Sequence, residues 1–131
     1  MLRVYITRQS RYPADIKAVK EKVRRVLVDN NVTDATLNVA LVGERKIRDL
    51  AQKYLRETEK DPAHEVLSFP AVGTKRSVDF KRPEGALDLG DIAICYPEAR
   101  KIAIKKNRLM DDVLGELAEH GTYHLLGIHH E

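Results

Sequence analysis

The sequence holds a single cysteine, Cys95, among 131 residues, so no disulfide can form within the chain and no disulfide partner is implied. A lone thiol fits a reducing compartment, and a cytoplasmic location is the expectation. No apolar run approaches the ~20 residues that span a bilayer, which argues against a membrane-crossing helix and a membrane partner. The opening MLRVYITRQSRYP lacks the apolar core of a secretory signal. There is no internal repeat, low-complexity tract or linker, so residues 1–131 read as one domain. A chain of this length hides roughly two-thirds of its unfolded surface on folding and needs no staples. Basic residues are missing from one end. Residues 110–131 hold five acids and no Lys or Arg, whereas residues 1–30 hold eight Lys/Arg against three acids. The net charge is only +3, so this asymmetry says more than the total. One end suits an anion and the other a cation, unless both are ordinary solvated faces.

What is present reads as a mixed fold. Leu2, Val4 and Ile6 alternate with polar neighbours, the pattern of a half-buried strand. Pro13 marks a place for a helix to begin, and Ile16, Val19, Val23, Val26 and Leu27 then share one face. Asn30-Asn31 breaks that helix, and Leu37, Val39 and Leu41 alternate again up to Gly43. Ile47, Leu50, Ala51, Tyr54 and Leu55 form a second amphipathic helix, followed by a polar stretch, Glu57 to Glu65. Val66 to Pro70 is a short apolar strand stopped by proline, a pattern suited to a sheet edge. Residues 71–89 read as a long loop carrying the basic pairs Lys75-Arg76 and Lys81-Arg82. Ile92, Ala93 and Ile94 give a fourth strand, and Pro97 opens a short helix. The last helix is expected to take its cap from Asp111 or Asp112 and to run to about Leu126, before Gly127. The order predicts an α+β fold with a small mixed four-stranded sheet packed with helices.

Four of the five histidines fall in one short segment, HGTYHLLGIHH, from His120 to His130. His120 and His124 are four apart on the last helix, so they project from one face, one turn apart. Gly127 can adopt the left-handed conformation that stops a helix and reverses the chain, bringing His130 back toward the pair. Three imidazoles with a fourth tetrahedral position open form the donor set of a catalytic zinc site, where bound water has a pKa near 7. His129 competes for the third place, and the offset from Gly127 favours His130. The spacing H-x-x-x-H-x-x-G-x-x-H is that of the metzincin peptidases, with one departure. Those enzymes carry a glutamate base directly after the first histidine, and here that position is Gly121. A metal hydrolase of another kind is expected.

Beyond the metal ligands, the chain resembles the YbeY endoribonucleases, whose signature is H-G-x-x-H-L-x-G-x-D-H. His120-Gly121, His124-Leu125, Gly127 and His130 match it, Val66-Leu67-Ser68-Phe69-Pro70 matches its V-L-S-F-P strand, and Leu89-Gly90-Asp91-Ile92 matches its L-G-D-I strand. The resemblance implies a zincin-like fold with the metal site at the end of the last helix. It also implies one Zn2+ per chain on three histidines, cleavage of single-stranded RNA, and a role in 16S ribosomal RNA maturation and quality control beside the small ribosomal subunit. An arginine after the second helix holds RNA in that family, and Arg56 is the match. The segment from Leu55 to Glu65 is about two residues longer than the family pattern, His64-Glu65 replaces its Thr-Asp, His129 replaces its Asp, and Glu119 stands where an apolar residue is common. Ser68 either lines the site or bonds to nearby backbone, and Asp91 either orients a ligand histidine or bonds to strand amides. Arg56, the basic loop pairs and the basic first helix would grip phosphates. Two rival readings follow from the same residues. One is a non-catalytic, zinc-stabilised RNA- or ribosome-binding module, and the other is a metallopeptidase, against which Gly121 speaks.

Overall fold

The structure, a computed structural model, describes residues 1–58, 60–71 and 87–127. The chain runs β1 (Leu2–Arg8), α1 (Ile16–Asp29), β2 (Ala35–Val42), α2 (Glu44–Leu55), β3 (Val66–Pro70), β4 (Leu87–Cys95), α3 (Tyr96–Lys105) and α4 (Met110–Leu125). The four strands form one mixed sheet in the order β1-β2-β4-β3. β1 and β4 lie parallel to β2, while β3 is antiparallel to β4 and sits at an edge, as its terminal proline requires. Parallel neighbours need crossovers, and α1 supplies the one from β1 to β2.

The period-two pattern of β2 decides which face is which. Ala35, Leu37, Val39 and Leu41 are buried, and they pack with Ile92 and Ile94 of β4 against α1, α3 and α4. The opposite face is covered by α2, whose Ile47 and Ala51 pack on Leu67, Ala93 and Cys95. Burial pushes the Cys95 thiol up from its ordinary pKa, which keeps it a neutral, unreactive core residue. Among the described residues no helix is long and apolar enough to cross a membrane.

Three boundaries differ from the sequence expectation. α1 starts at Ile16 because Asp15 caps it, its carboxylate accepting the Ala18 N–H at 3.1 Å, so Pro13 lies outside the helix. Residues 87–89, expected in the long loop, are strand; a register shift between Thr36 and Leu37 lets β4 pair through Asp88 and Gly90. Gly90 has φ +127°, and a Cβ there would stand 2.2 Å from the Phe69 carbonyl oxygen, so only glycine fits where β3 crosses. Finally, α4 is not capped by Asp111 or Asp112. Its N-cap is Leu109, without a side-chain bond, and both aspartates lie in the first turn, where the helix dipole favours them. The Asp111 carboxylate instead accepts the Asp15 N–H at 2.9 Å and ties the starts of α1 and α4 together. A tertiary partner has claimed the group that local pattern reserved for the cap.

Candidate functional site

α4 carries the two histidines on a helix pressed close to the sheet. Gly115, Ala118, Gly121 and Thr122 form its buried stripe, and the Thr122 hydroxyl donates back to the Ala118 carbonyl at 2.7 Å. At Gly121 a Cβ would meet Ile92 Cγ2 at 2.8 Å. The position that holds the glutamate base in a metzincin is therefore a packing contact here, with Ile92 where a side chain would go. His120 and His124 leave the helix on its outer side. Their Nε2 atoms converge to 2.9 Å, with ring planes at 68°. Two nitrogen lone pairs at that distance repel unless a proton or a cation lies between them. Two zinc–imidazole bonds of the usual length at a tetrahedral angle separate the nitrogens by roughly 3.3 Å, so the pair needs to open only slightly to hold such an ion. Gly127 has φ +78° and its N–H donates to the His124 carbonyl at 3.0 Å, the left-handed stop expected from the sequence. His129 and His130 lie outside the described residues, as do the basic pairs Lys75-Arg76 and Lys81-Arg82. Among the described residues no three metal-ligating side chains stand together.

Adjacent residues of β3 connect this helix to α2. Ser68 is in register with Ile92 and donates its hydroxyl to the Gly121 carbonyl at 3.2 Å, so it sits one residue from His120 in the backbone-bonded arrangement. Phe69 points the other way, to Tyr54 of α2, with ring centroids 5.1 Å apart. Tyr54 is two residues before Arg56. The edge strand thus brings the histidine helix and the end of α2 to the same end of the sheet, on opposite faces.

Arg56 caps α2 in the left-handed conformation, φ 57° and ψ 30°, with its N–H on the Ala51 carbonyl. The other described non-glycine residues with positive φ, Asn31 and Asn107, are of a type that tolerates it. Arg56 is exposed, and its guanidinium has no hydrogen-bond or ion-pair partner among the described residues. A left-handed residue is a common helix stop, and an arginine there instead of glycine or asparagine is unusual. The loop that follows is fixed by its own bonds. Glu57 meets His64 at 2.5 Å, Asp61 accepts from the Thr58 N–H at 2.8 Å, and Arg48 donates to the Asp61 carbonyl at 2.8 Å. His64, a departure from the family pattern, is thus the residue that closes the longer loop.

Strand alternation puts Asp91 on the face of Ala93 and Cys95, the α2 side, in register with Phe69 and Asn38. The histidine helix packs on the other face. The acids near His120 do not form a free negative surface. α4 is flanked by α1 and α3, and cations from each side reach it. Lys22 of α1 meets Glu119 at 3.5 Å, its stem lying over Gly115, and Arg108 grips Glu116 with both nitrogens. The Arg108 hydrogen bonds hold the Glu116 carboxyl below its ordinary pKa. The sign is that of a lowered carboxylate: a small stabilisation present at neutral pH and lost as pH falls through the folded-state value. On α1, Lys17, Arg24 and Arg25 are exposed and Lys20 is half-buried.

The family model described as Endoribonuclease YbeY matches residues 5–131. A Bradyrhizobium diazoefficiens protein named Endoribonuclease YbeY is 38% identical over 104 residues, covering 79% of this chain and 54% of that protein. Proteins of the same name from Myxococcus xanthus and Staphylococcus aureus are 33% and 34% identical, covering 82% and 74% of this chain and 34% and 61% of their own length. The chain therefore spans between a third and three fifths of the curated relatives it matches. A solution structure from Thermotoga maritima aligns over 100% of this chain and 75% of its own, with a TM-score of 0.58 and 28% identity.

Proposed function

Since the chain belongs to the YbeY endoribonuclease family, we propose that it is a zinc-dependent endoribonuclease that cuts single-stranded RNA, acting in the cytoplasm on 16S ribosomal RNA beside the small ribosomal subunit. The observation that carries this reading is the convergence of the His120 and His124 Nε2 atoms to 2.9 Å at the exposed face of α4. With His130 they would hold one zinc ion. When bound, such an ion acidifies a coordinated water and neutralises charge on a phosphoryl oxygen.

The remaining work falls to this chain's own residues. Arg56, exposed and unpaired at the same end of the sheet, binds a phosphate next to the scissile one. Ser68 holds the Gly121 carbonyl and so fixes the height of His120 above the sheet; its oxygen keeps a lone pair for a substrate hydroxyl. Asp91 lies on the α2 face in register with Phe69, away from the histidine helix, and is assigned no part in orienting a ligand histidine. Lys22 and Arg108 neutralise Glu119 and Glu116, which lets a polyanion approach His120. The cations of α1 extend the positive surface along one flank of α4. Ile92 occupies the space that a peptidase base would need, which favours RNA over peptides as the substrate.

Arg56→Gly separates function from fold. Glycine accepts φ 57° without the side-chain penalty, so the variant should be as stable as the parent or up to about 1 kcal/mol more stable. Zinc content should be unchanged. RNA affinity should drop roughly ten- to a hundredfold through loss of a charged hydrogen bond. Urea unfolding, elemental analysis and RNA binding on one preparation test this. Parent-level binding with the left-handed residue relaxed would remove Arg56 from the substrate site.

A further inference from the structure

Apart from Arg108, which neutralises Glu116, the mechanism makes no use of the charge run that follows β4. Residues 96–109 hold Arg100, Lys101, Lys105, Lys106 and Arg108 against one acid, Glu98, and all five cations are exposed. Lys101 pairs with Glu98 at 3.3 Å and Arg108 with Glu116, while Lys105 and Lys106 form no ion pair among the described residues, Lys106 acting on Glu116 only at longer range. Two guanidiniums here lie over tyrosine rings. Tyr12 and Tyr96 stack with centroids 4.5 Å apart, Arg11 lies 5.2 Å over the first ring, and Arg100 lies 5.3 Å over the second. The Tyr96 hydroxyl anchors the stack by donating to the Pro13 carbonyl at 2.7 Å. A guanidinium already resting on a ring gives up less freedom when it grips a phosphate.

Beside Arg100 lies an open depression of about 500 Å³, whose wall includes Ile104, Asn107, Arg108 and Met110. Ile104 is 74% exposed, and Leu109 beyond it is 73% exposed. Guanidiniums over rings, exposed ammoniums and bare apolar side chains gathered on one short helix and the turn after it suit a single-stranded polyanion, whose phosphates meet the cations while its bases cover the apolar surface. The patch also borders the site. Glu116, held by Arg108, shares a face of α4 with His120 one turn on, about 6 Å along the axis.

We infer that the exposed face of α3 and the turn after it, Arg100 to Arg108 with Arg11 alongside, is an RNA-docking exosite that holds the strand flanking the cleavage position. This rests on the ribonuclease reading and names a second contact for the same substrate. The test compares the parent with the triple variant Arg100→Gln, Lys105→Gln, Lys106→Gln. Binding of a long single-stranded RNA is measured across a salt series, with cleavage of a very short RNA, zinc content and melting temperature as controls. Three lost contacts at ~0.7 each should lower the slope of log affinity on log salt by about 2, and weaken low-salt binding roughly tenfold or more. Short-RNA cleavage and zinc should stay at parent level, melting should fall by no more than a few degrees through loss of the Arg100–Tyr96 contact, and His120→Ala should keep the parent's slope. A triple variant with the parent's affinity and slope overturns the exosite. So does loss of binding to phosphatidylserine vesicles with RNA binding intact, which would make the patch a lipid-facing one. A parent that binds no RNA overturns the ribonuclease reading and the exosite with it.

Discussion

His120→Ala should strip the protein of its metal and end RNA cleavage, while the fold and most RNA binding survive. The two imidazoles point their Nε2 atoms at one place, 2.9 Å apart, and removing either leaves too few donors to hold an ion there. Loss of a partner one shell further out typically costs ten- to a hundredfold in metal affinity, so loss of a direct ligand should cost at least ~100-fold. Several kcal/mol of transition-state stabilisation goes with the ion, which corresponds to more than roughly a thousandfold in rate. His120 is exposed, so the core has little to lose. Arg56 and the cations flanking α4 remain in place, and their contacts with phosphate should stay salt-sensitive in the variant. Elemental analysis, urea unfolding and RNA binding on one preparation test all three parts. A His120→Ala protein that retains stoichiometric zinc and cuts RNA would remove the histidine pair from the chemistry.

Gly121→Glu should fail twice. It restores the letter that distinguishes a peptidase motif, yet no proteolysis should appear. The new Cβ would stand 2.8 Å from Ile92 Cγ2, with Cδ1 and Cγ1 at 3.0 and 3.1 Å, so α4 must lift from the sheet. Overpacking of this kind costs about 1–3 kcal/mol even for a methyl group, and a carboxylate entering the core adds a desolvation penalty. Lifting α4 also breaks the Ser68–Gly121 bond, the link between β3 and the histidine helix. The milder Gly121→Ala isolates the steric term. Combined with Ile92→Ala, which removes the atoms it collides with, Gly121→Ala should cost less than it does alone, the positive coupling expected of touching residues. Urea unfolding of the four proteins decides the point. Purely additive costs would mean that the glycine is not needed for close approach.

Local pattern carried the fold because each element announces its buried face. Val19, Val23, Val26 and Leu27 on α1, and Leu37, Val39 and Leu41 on β2, fall at the periods their structures require, and these are the buried residues. The misses have one physical cause, which is that long-range partners leave no local trace. Asp111 looks like a cap and is bonded to α1, and residues 87–89 look like loop until β2 is there to pair with them. At the site, the i,i+4 histidine spacing and Gly127 were readable because helix geometry fixes them. The role of Gly121 as the packing face of α4, the neutralisation of Glu116 and Glu119, and the closure of the loop by His64 all depend on residues distant in the chain. The charge run at Arg100 to Arg108 gives no sign in the sequence of the Tyr12–Tyr96 stack beside it, because that stack joins residues 84 positions apart.

The most direct test is cleavage of single-stranded RNA by the purified chain before chelation, after chelation, and after return of one equivalent of zinc. The account predicts cutting of the single strand and sparing of its duplex, loss of activity on chelation, and recovery with zinc in the parent but not in His124→Ala. RNA left intact by zinc-loaded protein, or cut equally well after chelation, would contradict it.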